Sequence, residues 1–437
     1  MVSLSAANAA KSSRHTSRNT QGLIDSASNH FAAARVQGLM ALYARPLAGR
    51  GVAISIDRNR EHRVVDFVRC SYLGLDNHPK IIGGALEAIE RYGTLHWSCA
   101  RTRLNFALIG ELEDSLSDLF AARVIVYTTV LAANMGALPI LASGHFTGGK
   151  KPVMVFDQLA HASLAFHKGT IAEETEVVTI AHNDLQSLET ICREKGAVVY
   201  ICDGIYSMGG SAPIEDLLAL QQRYGLFLYI DDAHGISIFG RNGEGYARSR
   251  IPGPLGDRTI IASSLGKGFG ASGGLIMLGT SQQEDLFRSF AVAHAFSASP
   301  NVAAIGAALA SAELHRTTEL HRLQSALQDR LQLFDRMFET SEAHSQLPIR
   351  MVAIGDELIS IGAARAILDC GFYVSAVFFP TVRKGRSGLR ICPTAGHDPK
   401  DIERLCDALA AIVPSDEAGP KSPTTLASNI IKAGEGR

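Results

Sequence analysis

The sequence predicts an α/β fold built around a mostly parallel sheet of seven strands. Short apolar runs alternate with helical patterns along most of the chain, and the runs have the length of buried strands. The predicted strands are residues 124–127, 153–156, 177–180, 198–202, 226–230, 259–263 and 275–278. With 437 residues, 46% of them hydrophobic, the chain is long enough to bury a substantial core.

The chain is predicted to divide into four segments. These are an N-terminal arm and helix at 1–60, a large domain at 61–303, a small C-terminal α+β domain at 304–413 and a flexible tail at 414–437. Residues 1–20 are expected to be disordered, and 22–50 to form a helical lead-in that ends near Pro46. A transit peptide is the alternative for the first 24 residues, because they contain basic residues, Ser and Ala but no acid.

Helical patterns connect the predicted strands. The apolar spacing over Ile214–Tyr224 predicts a helix, and Gly225 is a typical stop signal directly after it. An Ala-rich pattern after Pro300 predicts a connecting helix. After residue 350 the pattern restarts, with short strands at 351–354 and 372–379 and a final helix at 402–412.

Composition excludes several classes of protein. Forty-two basic residues against 43 acidic ones give a formal charge of −1, which removes a chain-wide electrostatic argument for nucleic acid or an anionic membrane. No apolar run approaches the ~18–20 residues of a membrane helix. The cysteines are scattered without paired zinc spacing, which predicts reduced thiols in a cytoplasmic protein. They are Cys70, Cys99, Cys192, Cys202, Cys370, Cys392 and Cys406.

Polar residues follow four of the predicted strands directly. Ligands of open α/β sheets bind outside the carboxyl ends of the strands, so these residues are expected to meet at one edge. They are Asp157 and His161 after the second strand, Asp203 and Ser207 after the fourth, Asp231 and His234 after the fifth, and Ser264 and Lys267 after the sixth.

This set of side chains matches the chemistry of pyridoxal 5′-phosphate. Lys267 stands between Gly266 and Gly268, where its amine could form a Schiff base with a planar carbonyl. A carboxylate can pair with a pyridinium nitrogen, a histidine can stack on the ring, and hydroxyls with helix-start amides can hold a phosphate.

Other interpretations of the same residues remain open at this point. Asp231, Asp232 and His234 could bind a metal, although zinc-type spacing is missing. Lys267 alone could be an ordinary surface lysine. The glycines around it resemble a dinucleotide loop, but a strand follows at 275–278, where that motif requires a helix.

Several longer segments together resemble the α-oxoamine synthase family of fold-type-I pyridoxal-phosphate enzymes. The resemblance covers roughly residues 50–412 in collinear order. The matching segments are Asp157-Gln-Leu-Ala-His161-Ala-Ser, Tyr206-Ser-Met-Gly-Gly-Ser-Ala-Pro213, Asp231-Asp-Ala-His-Gly235, Ser263-Ser-Leu-Gly-Lys-Gly-Phe-Gly270, Tyr72-Leu-Gly-Leu75, His182-Asn-Asp184 and Leu389-Arg390-Ile391.

The resemblance implies roles for individual residues. Lys267, His161, Asp231 and His234 would be catalytic: Lys267 would hold the cofactor and transfer protons, Asp231 would pair with the ring nitrogen, His234 would bind the phenolic oxygen and His161 would stack on the ring. The implied cofactor-binding set is Thr129, Val130, Leu131, His161, Asp203, Ser207, Asp231, His234, Ser264, Lys267 and Ser297.

The resemblance also implies substrates and a partner. Arg390 would hold the carboxylate of an amino acid, with Ser207 lining the site. A homodimer is implied, in which Ser297 or Ser299 of one chain reaches the phosphate of the other. The implied reaction is a decarboxylative Claisen condensation of a small amino acid with an acyl thioester, from coenzyme A or a carrier protein, giving an α-aminoketone. An aminotransferase, aldolase or decarboxylase on the same scaffold, or a silent regulatory paralogue, is the alternative.

The sequence departs from the family pattern at five places, one of which is Gly388-Leu389-Arg390 where the family has an Arg-Leu-Arg pair. The phosphate turn reads Thr129-Val130-Leu131 without its glycine, and Cys70-Ser71 replaces the asparagine before the Tyr-Leu-Gly segment. The glycine-rich stretch at 93–103 contains a bulky His96-Trp97 pair, and Asp203 stands where glutamate is common. We therefore expect the cofactor to be bound as in the family and the substrate pocket to be atypical, as in an enzyme of specialised metabolism.

Overall fold

The computed structural model describes residues 13–14, 19–57, 60–97 and 100–413. The tail at 414–437 and most of the predicted disordered arm or transit peptide lie outside the described residues, as does Cys99. The strands are β1 Ser13–Arg14, β2 Tyr43–Pro46, β3 Gly51–Asp57, β4 Arg60–Asp66, β5 Arg123–Tyr127, β6 Val153–Asp157, β7 Val177–Ile180, β8 Val198–Asp203, β9 Phe227–Asp231, β10 Thr259–Ser264, β11 Gly274–Leu278, β12 Arg350–Gly355, β13 Phe372–Tyr373, β14 Ser375–Val377 and β15 Ser387–Ile391.

Helices connect most of these strands. They are α1 Thr20–Val36, α2 Pro79–Tyr92, α3 Ala107–Phe120, α4 Val130–Ala142, α5 Ala162–Ala165, α6 Lys168–Ala172, α7 Leu185–Lys195, α8 Ile214–Tyr224, α9 Tyr246–Ser249, α10 Ser281–Phe290, α11 Val292–Ala295, α12 Val302–His315, α13 Thr318–Met337, α14 Glu357–Asp369 and α15 Pro399–Ile412. Within the described residues, no helix is both long and apolar enough to cross a bilayer.

Among the described residues, the first compact unit comprises 13–14, 76–97 and 100–317 and contains the large sheet. Its strand order is β1-β7-β6-β8-β9-β10-β11-β5, in which β7, β6, β8, β9 and β10 pair in parallel and β11 is antiparallel to both of its neighbours. All seven predicted strands are present, and the two-residue β1 is added at one edge. The strands are buried on both faces, which explains their continuous apolar runs.

Among the described residues, the second compact unit comprises 19–57, 60–75 and 318–413 and contains two smaller sheets. Strands β12, β15 and β14 form an antiparallel sheet, while β13, β4, β3 and β2 form the other. One hydrophobic core joins these sheets to the helices of the unit, with contributions from Phe67, Phe334, Leu389 and Leu405.

Several helix boundaries agree with the predictions. Helix α8 spans Ile214–Tyr224, and Gly225 ends it in the left-handed conformation at φ +69°. The connecting helix after Pro300 is α12, and the final predicted helix is part of α15. The strand predicted at 351–354 is β12.

The helical lead-in predicted at 22–50 was wrong beyond Val36. Helix α1 ends there because Gly38 adopts a left-handed φ of +65°, and β2 and β3 follow as an antiparallel pair. The strand predicted at 372–379 is divided into two. Strand β13 pairs with β4, while β14 pairs with β15 in the other sheet.

The compact units also divide the chain at other positions than predicted. The predicted boundary at 303/304 lies inside the start of α12, whereas the units separate after Thr317. Helix α12 belongs to the first unit because it packs closely on α2, where a Cβ at Gly306 would lie only 2.3 Å from the Gly84 carbonyl oxygen. The segment at 19–75 belongs to the second unit because β4 pairs with β13.

Candidate active site

Four neighbouring parallel strands end at one edge of the large sheet. The order β6-β8-β9-β10 places the ends of these strands side by side, and Asp203 stands directly opposite Asp231 in the register of β8 and β9. The residues expected to share one edge therefore do so. The structure thus confirms the convergence predicted from the strand ends.

Lys267 contacts a histidine at this edge. Its Nζ lies 2.9 Å from Nε2 of His234, which follows β9, while Lys267 lies on the loop after β10. The loop is tightly packed, because a Cβ at Gly268 would approach the Ile236 carbonyl oxygen to 2.7 Å. Lys267 is half-buried and His234 is buried, so the amine is held in place at the sheet edge and does not extend freely into solvent.

Asp231 is held by a residue that sequence reasoning missed. The amide nitrogen of Asn134, inside α4, donates to Oδ2 of Asp231 at 3.0 Å, and its carbonyl oxygen accepts from the Tyr229 hydroxyl at 2.7 Å. The backbone nitrogen of Ala233 donates to the other carboxylate oxygen at 3.1 Å. Asn134 is fully buried, so its interactions fix the Asp231 carboxylate in a dry environment.

His161 and Asp203 continue this network. The backbone nitrogen of His161 donates to Oδ1 of Asp203 at 3.0 Å, and Nδ1 of His161 lies 2.8 Å from the Ser163 hydroxyl. Asn134 donates to the same hydroxyl at 3.0 Å. A continuous chain of hydrogen bonds therefore joins the residues after β6, β8 and β9.

Desolvation shifts the protonation of two of these residues. His161 is itself exposed, but partial desolvation of its ring lowers its pKa; the charge of Asp231 opposes this shift and that of Lys267 adds to it. Burial and the neighbouring Asp231 raise the pKa of Asp203 well above its ordinary value. The site therefore favours a neutral imidazole at position 161 near neutral pH.

The start of α4 supplies backbone donors close to β11. Thr129 caps this 13-residue helix, and its hydroxyl oxygen accepts from the Ala132 nitrogen at 3.1 Å. A Cβ at Gly274 would lie 2.3 Å from the backbone of Thr129 and Val130, so glycine is required for this approach. Thr129 and Leu131 are exposed and Val130 is half-buried, which leaves the first turn open to a ligand.

Two acids near the site have other partners. Asp157 accepts hydrogen bonds from Asn183 N at 2.8 Å and the Tyr200 hydroxyl at 3.0 Å, and it pairs with His182. Asp232 accepts a hydrogen bond from the backbone nitrogen of Ala247, in the first turn of α9, at 2.9 Å. Burial raises the pKa of Asp232 to about 8, and its partner Ala247 lies in α9, whereas Asp231 is bonded by Asn134 of α4.

The positions of the other predicted serines say less about ligand binding. Ser264 ends β10, and its hydroxyl oxygen accepts from Gly266 N at 3.2 Å. Ser207 is half-buried on the loop after β8. Ser297 donates to the Ala298 carbonyl at 3.4 Å and Ser299 donates to the Pro300 carbonyl at 2.9 Å, so the reach of either into a partner's site stays a prediction.

Arg390 lies on β15 in the second unit. Both terminal nitrogens of its guanidinium lie 3.6 Å from the sulfur of Cys70, the residue that replaces the expected asparagine. The side chain is almost fully buried at 8% exposure. Within its own unit, Arg390 is therefore part of a polar cluster with Cys70.

The atypical stretch at 93–103 serves the packing of the first unit in part. Arg101 donates to the Val126 carbonyl at 2.5 Å and to the Glu113 carboxylate at 2.8 Å, which buries an ion pair between α3 and β5. Trp97 is 55% exposed and meets the ring of Phe106 edge-on. The role of Trp97 in a substrate pocket stays a prediction.

Comparison with known proteins agrees with this architecture. The family model described as aminotransferase class I and II matches residues 72–409, so the chain belongs to that family. An 8-amino-7-oxononanoate synthase from Geobacter sulfurreducens is 31% identical over 378 residues, covering 84% of this chain and 93% of the relative. The same-named protein of Maricaulis maris is 30% identical and covers 86% and 92%.

Solved structures share the fold at lower identity. A serine palmitoyltransferase from S. paucimobilis, with pyridoxal phosphate and myriocin bound, has a TM-score of 0.77 at 22% identity and covers 90% of this chain and 99% of that one. The Sphingomonas wittichii serine palmitoyltransferase also has a TM-score of 0.77, at 20% identity, and covers 90% and 99%. Within its family the chain is accordingly an α-oxoamine synthase homologue, a pyridoxal-phosphate-dependent enzyme of the acyltransferase class.

Proposed function

We propose that this chain condenses a small amino acid with an acyl thioester, releasing carbon dioxide and a thiol and giving an α-aminoketone. The observation that carries the proposal is the Lys267 amine held 2.9 Å from His234 at the edge where Asp231 also ends its strand. An amine, an imidazole and a fixed carboxylate at one sheet edge suit a pyridine-based carbonyl cofactor. The similarity to 8-amino-7-oxononanoate synthases supports the reaction type.

The donor set fits pyridoxal phosphate in its charges and polar groups. Lys267 would hold the cofactor's carbonyl carbon, Asp231 would hold the proton on the ring nitrogen, and His234 would donate to the phenolic oxygen. When bound, the cofactor supplies an electron sink for negative charge at the α-carbon of the amino acid. Asn134 keeps Asp231 oriented for this task through the 3.0 Å hydrogen bond.

The phosphate would be held at the start of α4 and by nearby hydroxyls. Backbone N–H groups of the first helical turn point toward an anion and carry the positive end of the helix dipole. Thr129, Val130 and Leu131 form that turn, and Ser264 adds a hydroxyl at the end of β10. Ser297 of a partner subunit would complete the phosphate site in the proposed homodimer.

His161, Asp203 and Ser207 would complete the first-unit side of the site. A neutral His161 imidazole is suited to lie against an aromatic ring, because partial desolvation and the nearby Lys267 disfavour its charged form. Asp203 holds the backbone of His161, and so it would position that ring. Ser207 would line the space for the substrate.

Arg390 would bind the carboxylate of the amino acid. A planar guanidinium binds a carboxylate through two parallel hydrogen bonds, which fixes the orientation of the substrate as well as its position. Lys267 would remove the α-proton after releasing the cofactor's carbonyl carbon. A cytoplasmic location is part of the proposal and is supported by the scattered, unbridged cysteines among the described residues.

The identity of the lysine is tested by borohydride reduction of purified protein loaded with pyridoxal phosphate. Wild-type protein should absorb visible light and give one reduced adduct on the peptide containing Lys267, while Lys267→Ala should lose both signals. Lys168→Ala is a matched control, since Lys168 is another partly buried amine of the same unit and donates to Thr179 at 2.9 Å. An adduct that persists in Lys267→Ala would contradict the assignment.

The reaction type is tested by product analysis. Small amino acids are screened for a change in the visible spectrum of the loaded enzyme, and acyl thioesters are then screened for amino-acid-dependent release of carbon dioxide and free thiol. Release of both with a one-to-one ratio supports the condensation. Transfer of the amino group to a keto acid without thiol release would instead indicate an aminotransferase.

A further inference from the structure

Two loops of the first unit carry the amine and the imidazole that meet at the sheet edge. The Lys267 loop, residues 265–273, joins β10 to β11, and the His234 loop, residues 232–245, joins β9 to α9. Nζ of Lys267 and Nε2 of His234 are 2.9 Å apart. This distance depends on how each loop is held against the rest of the unit.

The last turn of α12 holds the Lys267 loop. The Ser311 hydroxyl donates to the Phe269 carbonyl at 2.6 Å, and the ring of His315 stacks on the Phe269 ring, with 4.4 Å between the centroids. Ser311 and Phe269 are fully buried, and His315 is 2% exposed. Because Phe269 follows Lys267 by two residues, these contacts fix the loop next to the amine.

The same turn of α12 holds the His234 loop. Nδ1 of His315 lies 2.8 Å from the Ser311 carbonyl, which can only accept, so this nitrogen carries the proton. Nε2 of the neutral ring then accepts from the Ser237 hydroxyl at 2.8 Å. Ser237 is fully buried and has a left-handed φ of +71°. A serine keeps such a backbone conformation only where its surroundings maintain it.

The two loops also pack closely against each other and against the histidine ring. A Cβ at Gly268 would lie 2.7 Å from the Ile236 carbonyl oxygen, and a Cβ at Gly243 would lie 2.8 Å from Cδ2 of His315. Both positions therefore require glycine. Since a close-packed region transmits strain, a shift of the helix turn would displace both loops.

Ser311 differs from an ordinary buried serine of a helix. Such a serine can bond the carbonyl four residues earlier in its own helix, as Ser360 of α14 does with Asp356 at 2.7 Å. Ser311 instead donates to a loop 42 positions earlier in the chain. A buried imidazole at position 315 likewise requires polar partners that an apolar side chain would not need. Each of the two side chains has such a partner outside α12.

We propose that Ser311 and His315 are positioning residues, which set the contact between the lysine and the histidine at the sheet edge. Ser311 fixes the Lys267 loop and His315 fixes the His234 loop, so one helix turn sets the distance between the two loops. Groups that react together need their positions held within about 0.5 Å. Neither positioning residue belongs to the set proposed to contact the cofactor or the substrate.

An effect of this contact on catalysis rests on the proposed function. The contact itself is measured on full-length protein without cofactor, through the exchange of loop amides and the reactivity of the amine. A failure of borohydride to trap the cofactor on Lys267 would remove the proposed function but would not alter these measurements. The two proposals therefore fail separately.

Hydrogen exchange tests whether each loop is held from the helix turn. In the Lys267 loop the Gly270 amide donates to the Lys267 carbonyl at 3.0 Å. In the His234 loop the Ser237 amide donates to the Gly243 carbonyl at 2.8 Å. Ser311→Ala should speed exchange in the Lys267 loop by about tenfold, and Ser237→Ala should do so in the His234 loop, because each variant loses one buried hydrogen bond to the turn. Unchanged exchange of the matching loop in either folded variant would overturn the proposal.

Acetylation tests whether the loops hold the amine. Full-length protein is treated with limiting acetic anhydride, and modification of Lys267 and Lys168 is quantified in the same sample by mass spectrometry. Ser311→Ala should make Lys267 react at least about threefold faster, since a mobile loop exposes the half-buried amine and breaks its contact with His234. Lys168, another partly buried amine of the same unit, should react at the wild-type rate. Equal acceleration of both lysines would indicate a general loosening of the unit and would overturn the positioning role.

Ser360→Ala is the matched control for these measurements. Ser360 is also a fully buried helical serine that donates to a carbonyl, but it lies in the second unit. The variant should lose stability without changing the exchange of either loop or the acetylation of Lys267. An acceleration as large as that in Ser311→Ala would show that loss of any buried hydroxyl has this effect, and the proposal would fail.

His315→Phe tests the imidazole itself. It keeps an aromatic ring beside Phe269 but removes both nitrogens, so it should speed exchange of the His234 loop as Ser237→Ala does. Circular dichroism verifies that the variant is folded, and Ser237→Ala tests the same hydrogen bond with a smaller change. Wild-type exchange of the His234 loop in folded His315→Phe would overturn the role of His315.

Discussion

Asn134 links three polar groups whose positions in the sequence are far apart. It donates to Asp231 and Ser163 and accepts from Tyr229, and all of these contacts are buried. Both of its N–H donors and its carbonyl oxygen are engaged, which fixes the orientation of the amide. A residue with this role controls the direction of the Asp231 carboxylate without itself being required to touch a cofactor.

Replacement of Asn134 should weaken both stability and cofactor binding. Asn134→Ala leaves the Tyr229 hydroxyl and the Ser163 hydroxyl short of a buried partner, which we expect to cost about 1–3 kcal/mol in the free energy of unfolding. Asp231 also loses its orienting donor, so pyridoxal phosphate should bind about tenfold more weakly. Urea unfolding and cofactor titration measure the two effects.

Asn242→Ala is the control for this prediction. Its amide donates to the Leu119 carbonyl at 3.3 Å from a loop in the same unit. We expect a smaller loss of stability and unchanged affinity for the cofactor. Asn134→Ala with wild-type cofactor affinity would show that Asp231 is oriented by its other contacts alone.

Sequence reasoning found the site residues that directly follow strands but not those inside helices. Asp231, His234 and Lys267 were predictable because strand ends of a parallel sheet share one edge. Asn134 was not, since its contact with Asp231 spans 97 positions and α4 carries no polar pattern that singles it out. The tyrosine hydroxyl that fixes Asn134 comes from a strand that reads only as apolar.

The approach of β11 to α4 depends on one glycine. Gly274 starts β11 and lies against the backbone of Thr129 and Val130, where any Cβ would lie closer than contact distance. The three nearest atoms all belong to the main chain of Thr129 and Val130, so none of them can move aside as a flexible side chain would. The position of the helix start, and hence of its amide donors, is set by this contact.

Gly274→Ala should therefore displace the start of α4. We expect a loss of at least about 1–3 kcal/mol in the free energy of unfolding, because the added methyl group overlaps main-chain atoms. The affinity for pyridoxal phosphate should fall more than the affinity for pyridoxal, since the displaced amides would bind the phosphate. Thermal unfolding and parallel titrations with the two compounds measure this difference.

Gly110→Ala is the control, because we expect this variant to be more stable than the wild type. Gly110 lies on the exposed face of α3, and nothing stands within 4 Å of an added Cβ. Alanine has the higher helix propensity, so this variant should be more stable by about 0.5–1 kcal/mol. Equal behaviour of the two variants would argue against close approach as the reason for glycine at 274.

At the scale of elements, the sequence is informative where a strand is buried on both faces. The central strands appear as uninterrupted apolar runs, and all seven were predictable within one or two residues. Strands β2 and β3 were missed for two reasons. Strand β2 is exposed along its whole length, and its partner β3 shows no regular alternation of apolar and polar residues. The division between β13 and β14 depends on two different sheets, which the local pattern does not reveal.

At the scale of the whole chain, long-range pairing decides which segments belong together. The second unit is built from two segments that are far apart in the sequence, since 19–75 joins 318–413 through β4 and β13. Composition and local periodicity do not predict that these two distant segments pair with each other. The compact units therefore group the N-terminal segment and α12 differently from the predicted domain boundaries.

Buried neutral histidines make the stability of both units dependent on pH. Burial lowers the pKa of His315 to about 4 in the first unit, and burial together with Arg50 lowers the pKa of His397 to about 3 in the second. His315 donates from Nδ1 to the Ser311 carbonyl at 2.8 Å and accepts from the Ser237 hydroxyl at Nε2, an arrangement that requires the neutral ring.

Below pH 6.5 the unfolded chain binds a proton at each of these histidines before the folded chain does, so stability falls as the pH decreases from about 6.5 to about 4. Each histidine contributes up to about 3 kcal/mol to this loss, at ~1.4 kcal/mol per pKa unit. Urea unfolding at pH 7, 5.5 and 4.5 measures the slope. His315→Gln should be less stable at pH 7 yet show a shallower slope, whereas His321→Gln, on the exposed surface of α13, should keep the wild-type slope. An unchanged slope in His315→Gln would mean that acid destabilisation arises from other groups.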